Sequence, residues 1–387
     1  MATETFELIA PCHFGLERVL KEEIYDLGYD ITSVEDGRVT FTGDADAVCR
    51  ANLCLRTAER VLIKAGAFRA GSFEELFQGT KAIAWERFFP RDARFWVTKA
   101  SSVKSKLFSP TDVQSVMKKA MVDRMGAHYG ITRFAEDGAS FPVRVFIKND
   151  LVTAGIDTTG ASLHKRGYRK MEISAPIAEN LAAALIMLTP WKAGRILVDP
   201  FCGSGTFLIE AAMMAKRIAP GLGRSFTAEA WEGLTPKALW KDVRSELRAD
   251  IIQDASSDLQ GYDIDENVIS AARHCAREAG VDDMIHFQVR DVALLNHRKP
   301  YGFIVTNPPY GERIGETDAL YALYQTLGER YRALENWSMY VITSYENAEK
   351  AIGKKADKNR KLYNGMMKTY YYQYIGKKPA RAKTEAT

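Results

Sequence analysis

The chain has 387 residues, a net charge of +4 and 46% hydrophobic residues, enough for two or three domains with sizeable cores. Its start, Met1-Ala2-Thr3-Glu4-Thr5-Phe6-Glu7, is acidic rather than basic, and no apolar stretch is long enough to span a bilayer; a cytoplasmic protein without a signal peptide is expected. Cys12, Cys49, Cys54, Cys202 and Cys275 form no CxxC pair and no Cys/His ligand spacing, so reduced thiols are expected, with no metal site and no disulfide framework.

Residues 1–60 read as short strands around two amphipathic helices, Phe14 to Leu27 and Asp44 to Ala51, which together form a small α+β domain. Residues 61–160 carry predicted helices over Ser72 to Gln78 and Pro110 to Met125, and strands over Arg94 to Thr98 and Val143 to Lys148. Trp96, inside the alternating Arg94-Phe95-Trp96-Val97-Thr98 strand, is expected in the core. Charge separates these regions. Residues 1–90 hold 10 Lys and Arg against 15 Asp and Glu, for −5, whereas residues 91–170 hold 15 against 7, for +8. Most basic runs are solvated faces, but here Arg91, Phe95, Phe108 and Lys119 interleave charge with aromatic surface, a mixture suited to phosphates and unstacked bases. Arg94, Lys99, Lys104, Lys106, Lys118 and Arg166 are the candidate nucleic-acid contacts.

From about residue 161 onward the pattern becomes strand, loop and helix. Apolar residues lead into Asp199, the turn Pro200-Phe201-Cys202-Gly203-Ser204-Gly205 follows, and helical spacing starts near Thr206. Gly203 and Gly205 lack Cβ atoms and let backbone approach a ligand, and the helix start offers free N–H groups. This is not a P-loop, because no Lys follows the glycines. Cys202 fits as a small apolar side chain; no base is recognisable beside it to make it a nucleophile. Residues 217–258 are longer than a connection needs and are expected to frame the substrate entrance.

Leu259-Gln260-Gly261-Tyr262-Asp263-Ile264-Asp265 ends a second strand on carboxylates. One of them can accept both hydroxyls of a ribose while the other caps the helix from Val268 to Ala279; Asp263 is expected to be the ligand group, with Ile264 beside it, and Asp265 the cap. A third strand, Met284 to Val289, ends near Asp291, which either accepts a bond from an adenine amino group or is an exposed turn aspartate. A fourth, Tyr301 to Thr306, is closed by Asn307-Pro308-Pro309-Tyr310. In the bland reading this is a Pro-Pro turn that stops a strand. In the functional one, the Asn307 amide oxygen and the Pro308 carbonyl each accept one N–H of a planar amino group, localising its lone pair without a strong base, and Tyr310 stacks on the ring. Asn-Gly at Asn364-Gly365 predicts a tight turn joining Lys361-Leu362-Tyr363 to the aromatic strand from Lys368 to Tyr374. Residues 376–387 are basic and predicted disordered.

The order DPFCGSGTF, GYDID, RDV and NPPY resembles the motif series of class I S-adenosylmethionine-dependent methyltransferases that act on exocyclic nitrogens. More narrowly, Leu163-His164-Lys165-Arg166-Gly167-Tyr168-Arg169, the predicted helix from Ala175 to Leu188, and the extension Gly311-Glu312-Arg313 resemble bacterial THUMP-domain RNA methylases, the 23S ribosomal RNA guanine-N2 methyltransferases above all. The resemblance implies an α/β fold: a Rossmann-like catalytic domain (161–375) with a mixed seven-stranded sheet, preceded by ferredoxin-like (1–60) and THUMP (61–160) domains and followed by a basic tail (376–387). It implies S-adenosylmethionine as cofactor, held by Asp199, Cys202, Gly203, Gly205, Asp263, Ile264, Asp291 and Asn307, and catalysis by Asn307, Pro308 and Tyr310. RNA is the implied partner. Transfer RNA, adenine N6 and a protein glutamine amide are competing substrates for the same chemistry. A decayed, non-catalytic RNA-binding fold is a further alternative, which the intact Asp199, Gly203, Gly205, Asp263 and Asn307 oppose.

Overall fold

The computed structural model describes residues 4–169, 177–310, 317–365 and 367–378. Gly311, Glu312 and Arg313, the first residues of the predicted 175–188 helix, and the tail beyond Lys378 lie outside the described residues. Packing divides the chain into two compact units. The first comprises residues up to Cys12, Leu20–Leu163 and Arg224–Leu247; the second comprises His13–Val19, His164–Gly223 and the chain from Arg248.

The first unit is built on one seven-stranded sheet. Its elements run β1 (Phe6–Pro11), α1 (Glu17–Asp26), β2 (Ile31–Glu35), β3 (Arg38–Gly43), α2 (Ala45–Cys54), β4 (Leu62–Arg69), α3 (Phe73–Ala82), β5 (Arg94–Val103), α4 (Pro110–Tyr129), β6 (Ser140–Lys148) and β7 (Leu151–Asp157), with α1 straddling the division between the units. Strand order is β2-β3-β1-β4-β7-β6-β5. β4 pairs with both β1 and β7, so the sheet runs unbroken past residue 60, where a domain boundary was expected. Helix starts follow local chemistry. Asp44 accepts the Ala47 N–H at 3.1 Å and Ser72 that of Glu75 at 3.2 Å, each supplying an acceptor to a donor with no partner inside its helix. Pro110 opens α4, where the missing N–H costs nothing, and Gly130 ends it at φ 64°.

In β5 the inward positions are Phe95 and Val97, not Trp96. Phe95 stacks on Phe89 at 5.3 Å, leaving the neighbouring Trp96 half-buried beneath the Arg94 guanidinium, 5.1 Å from its ring centre. Of the long stretch 217–258, residues 224–247 pack away from the catalytic sheet. They belong to the first unit, where Trp231 stacks on Phe141 at 4.7 Å and donates its indole N–H to the Ser140 carbonyl at 2.9 Å.

The second unit contains α5 (Glu179–Met187), β8 (Leu197–Asp199), α6 (Thr206–Ala215), β9 (Leu259–Asp263), α8 (Glu266–Glu278), β10 (Ile285–Val289), β11 (Phe303–Thr306), α9 (Thr317–Ala333), β12 (Ser338–Thr343), α10 (Ala348–Ile352), β13 (Lys358–Asn364) and β14 (Met367–Tyr374); α7 (Lys237–Ala249) lies mostly in the first unit. Its sheet is mixed and seven-stranded, in the order β10-β9-β8-β11-β12-β14-β13. β10 through β12 are parallel, and the β13–β14 hairpin adds antiparallel to β12. From β8 the chain moves outward through β9 and β10, then returns to the other side of β8 as β11. The loops after β8 and β11 therefore diverge at the switch point, where open α/β sheets form their ligand crevice. Among the described residues no helix is long and apolar enough to cross a membrane.

Candidate active site

β8 delivers Asp199 to the crevice. Its carboxylate is buried and accepts the Thr306 hydroxyl at 2.6 Å and the Phe201 N–H at 3.1 Å. Burial pushes its pKa up to about 7, against the lowering effect of those two bonds. Thr306 is the last residue of β11 and immediately precedes Asn307. One carboxylate thus ties the root of the glycine loop to the root of the Asn-Pro-Pro-Tyr segment.

The loop itself needs glycine twice. Gly203 has φ 51° and Gly205 φ 77°, both left-handed. A Cβ on Gly203 would meet nothing within 4 Å, whereas one on Gly205 would come within 2.6 Å of the Phe287 ring. Gly203 therefore leaves an open cradle, and Gly205 lets the helix start pack on β10. Asp263, at the end of β9, accepts the Gly203 N–H at 3.2 Å and the Asp265 N–H at 3.1 Å. Asp265 caps α8 by accepting the Asn267 N–H at 2.8 Å. The Cys202 thiol is buried, and burial, with the nearby Asp199 and Asp263 charges, pushes its pKa well above the usual range, the reverse of what a nucleophilic thiolate needs.

These groups face a cavity of about 660 Å³. Asp199, Cys202, Gly203, Asp263, Ile264, Asp291, Asn307, Pro308 and Tyr310 all line it; Gly205 stands behind it. Ile264 is 72% exposed, an apolar shelf where a flat ring can lie. Asp291 is exposed and accepts the Ala293 N–H at 2.7 Å, so it caps a turn and also borders the cavity. The open cradle, the Asp263 carboxylate and the apolar shelf fit an adenosine-bearing sulfonium cofactor. Ile177, Leu323 and the hairpin tip Asn364, Gly365 and Met367 complete the wall. Sequence reading found the Asn-Gly turn but attached no site to it, because its approach to the cavity depends on the antiparallel addition of β14 to β12.

The basic residues separate in the structure. Arg94, Lys99, Lys104 and Lys106 are exposed in the first unit, with Phe108, 81% exposed, beyond Lys106. Lys118 is committed elsewhere: its ammonium lies 4.2 Å over the Phe95 ring, bonds the Phe95 carbonyl and pairs with Glu136 at 2.7 Å. Arg166 is buried in the second unit, 3.3 Å from Glu210, so its guanidinium is held by an ion pair inside the protein.

Comparison with known proteins matches this architecture. Residues 166–373 match the family model described as RMKL-like methyltransferase domain, residues 7–62 the RlmL ferredoxin-like domain, and residues 70–157 the THUMP domain. The chain is 44% identical over 383 residues to "Putative RNA methyltransferase YpsC" of Bacillus subtilis, covering 98% of this chain and 99% of that protein. Among solved structures it is 46% identical to "a predicted N6-adenine-specific DNA methylase" from Listeria monocytogenes, with a TM-score of 0.91 over 97% of both chains. It is also 40% identical to "SMU.472, a putative methyltransferase complexed with SAH", with a TM-score of 0.91 over 98% of this chain and 100% of that one. The chain belongs to the RMKL-like family of S-adenosylmethionine-dependent RNA methyltransferases, with an RlmL-type ferredoxin-like domain and a THUMP domain preceding the catalytic domain.

Proposed function

We propose that the chain methylates the N2 amino group of a guanine in RNA, with 23S ribosomal RNA as its substrate and the cytoplasm as its compartment. The observation that carries this reading is the Asn307 side chain, which lines the same cavity as the glycine loop and, among the described residues, has no hydrogen-bond partner. S-adenosylmethionine, when bound, supplies a methyl group on a sulfonium that leaves as a neutral thioether. The chain's residues do the rest by positioning. Asn307 Oδ1 and the Pro308 carbonyl accept the two N–H bonds of the amino group and turn its lone pair out of the ring plane, with the nitrogen held about 3 Å from the carbon it would attack; the methylated nitrogen, positively charged and acidic, then loses one proton to solvent. Tyr310 stacks on the ring. Asp263 would hold the cofactor by accepting its ribose hydroxyls, and Asp291 by accepting its adenine amino group. A base paired in a helix must be opened first, at a cost of a few kcal/mol that contacts elsewhere on the RNA offset.

The RlmL-type amino-terminal domain and the THUMP domain support RNA, and the family resemblance favours large-subunit RNA. A second reading, adenine N6, is favoured by the name of the Listeria relative and by the equivalence of the two amino groups before Asn307. Mass-spectrometric mapping of nucleosides from cells with and without the gene separates them. The expected result is loss of one N2-methylguanosine from large-subunit RNA; loss of an N6-methyladenosine instead would transfer the proposal to the second reading.

Two quantitative expectations accompany it. Asp263→Ala should weaken cofactor binding by about 1.5–3 kcal/mol, the range for a hydrogen bond to a charged group. Unchanged affinity by calorimetric titration would remove Asp263 from the site. RNA affinity should fall with salt at a log–log slope of about −0.7 to −0.9 per phosphate contact, and charge reversal of Lys104 and Lys106 should weaken RNA binding while leaving cofactor affinity unchanged. Affinity insensitive to salt would return these lysines to a solvated face.

A further inference from the structure

The β13–β14 hairpin brings a second side-chain amide to the cavity. Asn364 ends β13, pairs in register with Met367, and lines the cavity with Gly365 and Met367. The cavity's other polar side chains are mostly held by protein. Asp199 is bonded to Thr306 and Phe201, Ser204 to Thr206, Thr206 to Arg169, Asp263 to Gly203 and Asp265, and Asp291 to Ala293. Among the described residues the amides of Asn307 and Asn364 have no such partner. A polar group kept at a cavity wall without a protein partner is satisfied by water or by ligand. These two amides come to the cavity wall from separate segments, the one after β11 and the end of β13. The outer face of the hairpin also suits a nucleic acid, with Lys361 5.5 Å over the Tyr363 ring and Lys368 5.1 Å over the Tyr370 ring.

We propose that Asn364 is a specificity-determining residue that reads the N1–O6 edge of the target guanine. This rests on the guanine-N2 reading above. A side-chain amide offers an acceptor oxygen and a donor nitrogen. When guanine is held by its N2 amino group at Asn307, the next two groups on its edge are the N1–H donor and the O6 acceptor. Asn364 Oδ1 accepts the first and its Nδ2–H donates to the second. Adenine held by N6 presents N1 as an acceptor and then a C2–H, so only one of the two bonds can form. The second amide therefore supplies discrimination that the Asn307 and Pro308 pair lacks, because any planar amino group satisfies that pair.

The hairpin tolerates the test. Asn364 is outside the left-handed region, Gly365 carries the turn at φ 62°, and Leu362 anchors the strand in the core. Once the methylated position is mapped, two synthetic RNAs spanning it carry either guanosine or 2-aminopurine riboside there. The analogue keeps the N2 amino group and replaces N1–H and O6 with a bare N1 and a C–H. Wild-type protein should favour guanosine in kcat/KM by about 10- to 100-fold, the worth of one good bidentate base contact. Asn364→Ala should slow guanosine far more than 2-aminopurine and bring that ratio within about threefold of unity, with cofactor affinity by calorimetry unchanged. An equal fall on both RNAs would make Asn364 a structural turn residue, an unchanged ratio would remove it from base reading, and a drop in cofactor affinity would assign it to the other ligand; each overturns the proposal. A wild-type product other than N2-methylguanosine would overturn the guanine reading itself, a failure the product analysis reports separately from the variant's ratio.

Discussion

Asn307→Ala should lower turnover by on the order of 100-fold or more, the cost of deleting one preorganised hydrogen-bonding group from an active site. The variant should still fold and bind RNA. The Asn307 amide has no protein partner among the described residues, so its loss leaves no buried group unsatisfied, and β11 behind it is fixed by pairing to β8 and β12 and by the Thr306–Asp199 bond. What disappears is one of the two acceptors that localise the nitrogen lone pair. Asn307→Asp tests the same idea from the other side. A carboxylate still accepts a hydrogen bond, so partial activity is expected, whereas a role confined to shape would make Asp and Asn equivalent. The measurement is transfer of labelled methyl to unmodified large-subunit RNA, with the product nucleoside identified afterwards. Near-normal turnover in Asn307→Ala would sink the mechanism, and N6-methyladenosine as product would sink the guanine assignment while leaving the site intact.

The glycine loop and the Asn-Pro-Pro-Tyr segment were legible because each is a local signal: an apolar run, a break, and side chains whose spacing has chemical meaning. The strand and helix pattern of both units followed from the same periodicities, and the capping by Asp265 was readable from its place before the helix. Parity in β5 was not. Phe95 and Trp96 are adjacent aromatics, and only the stacking partner Phe89 decides which one faces inward. Arg166 sits in a run that reads as a cationic face, and its partner Glu210 is distant in sequence. The stretch 217–258 read as an overlong connection within the catalytic fold, and nothing local in it records that Trp231 buries its ring against Phe141 of the first unit. Asn364 was hidden for the same reason. Long-range pairing places it, and no local pattern records that.

Glu210→Ala should destabilise the catalytic unit by about 3–5 kcal/mol, the cost of removing one member of a buried ion pair. Glu210 is fully buried and is the only ionisable side chain in α6, Thr206–Ala215. Arg166 approaches it at 3.3 Å and the Tyr168 hydroxyl donates to it at 3.2 Å. Burial, reinforced by the Glu210 charge, pushes the Tyr168 pKa well up, so the phenol stays protonated and remains a donor. Removing the carboxylate leaves the guanidinium without this counter-charge in a low-dielectric setting, which is the expensive half of the change. Replacing both partners by apolar residues, Arg166→Met with Glu210→Leu, should recover most or all of the loss, because burying a pair costs desolvation that a hydrophobic contact does not. Because α6 starts at the glycine loop, and Arg169 in the same cluster donates to Thr206 at 2.7 Å, the single variant should also loosen the cofactor site, and the double variant should restore it in step with stability. Calorimetric melting of the three proteins with and without S-adenosylmethionine checks both statements. A single variant that melts like the wild type would show that the pair contributes nothing. A double variant as unstable as the single one would show that shape or hydrogen bonding, rather than the lost counter-charge, carries the cost.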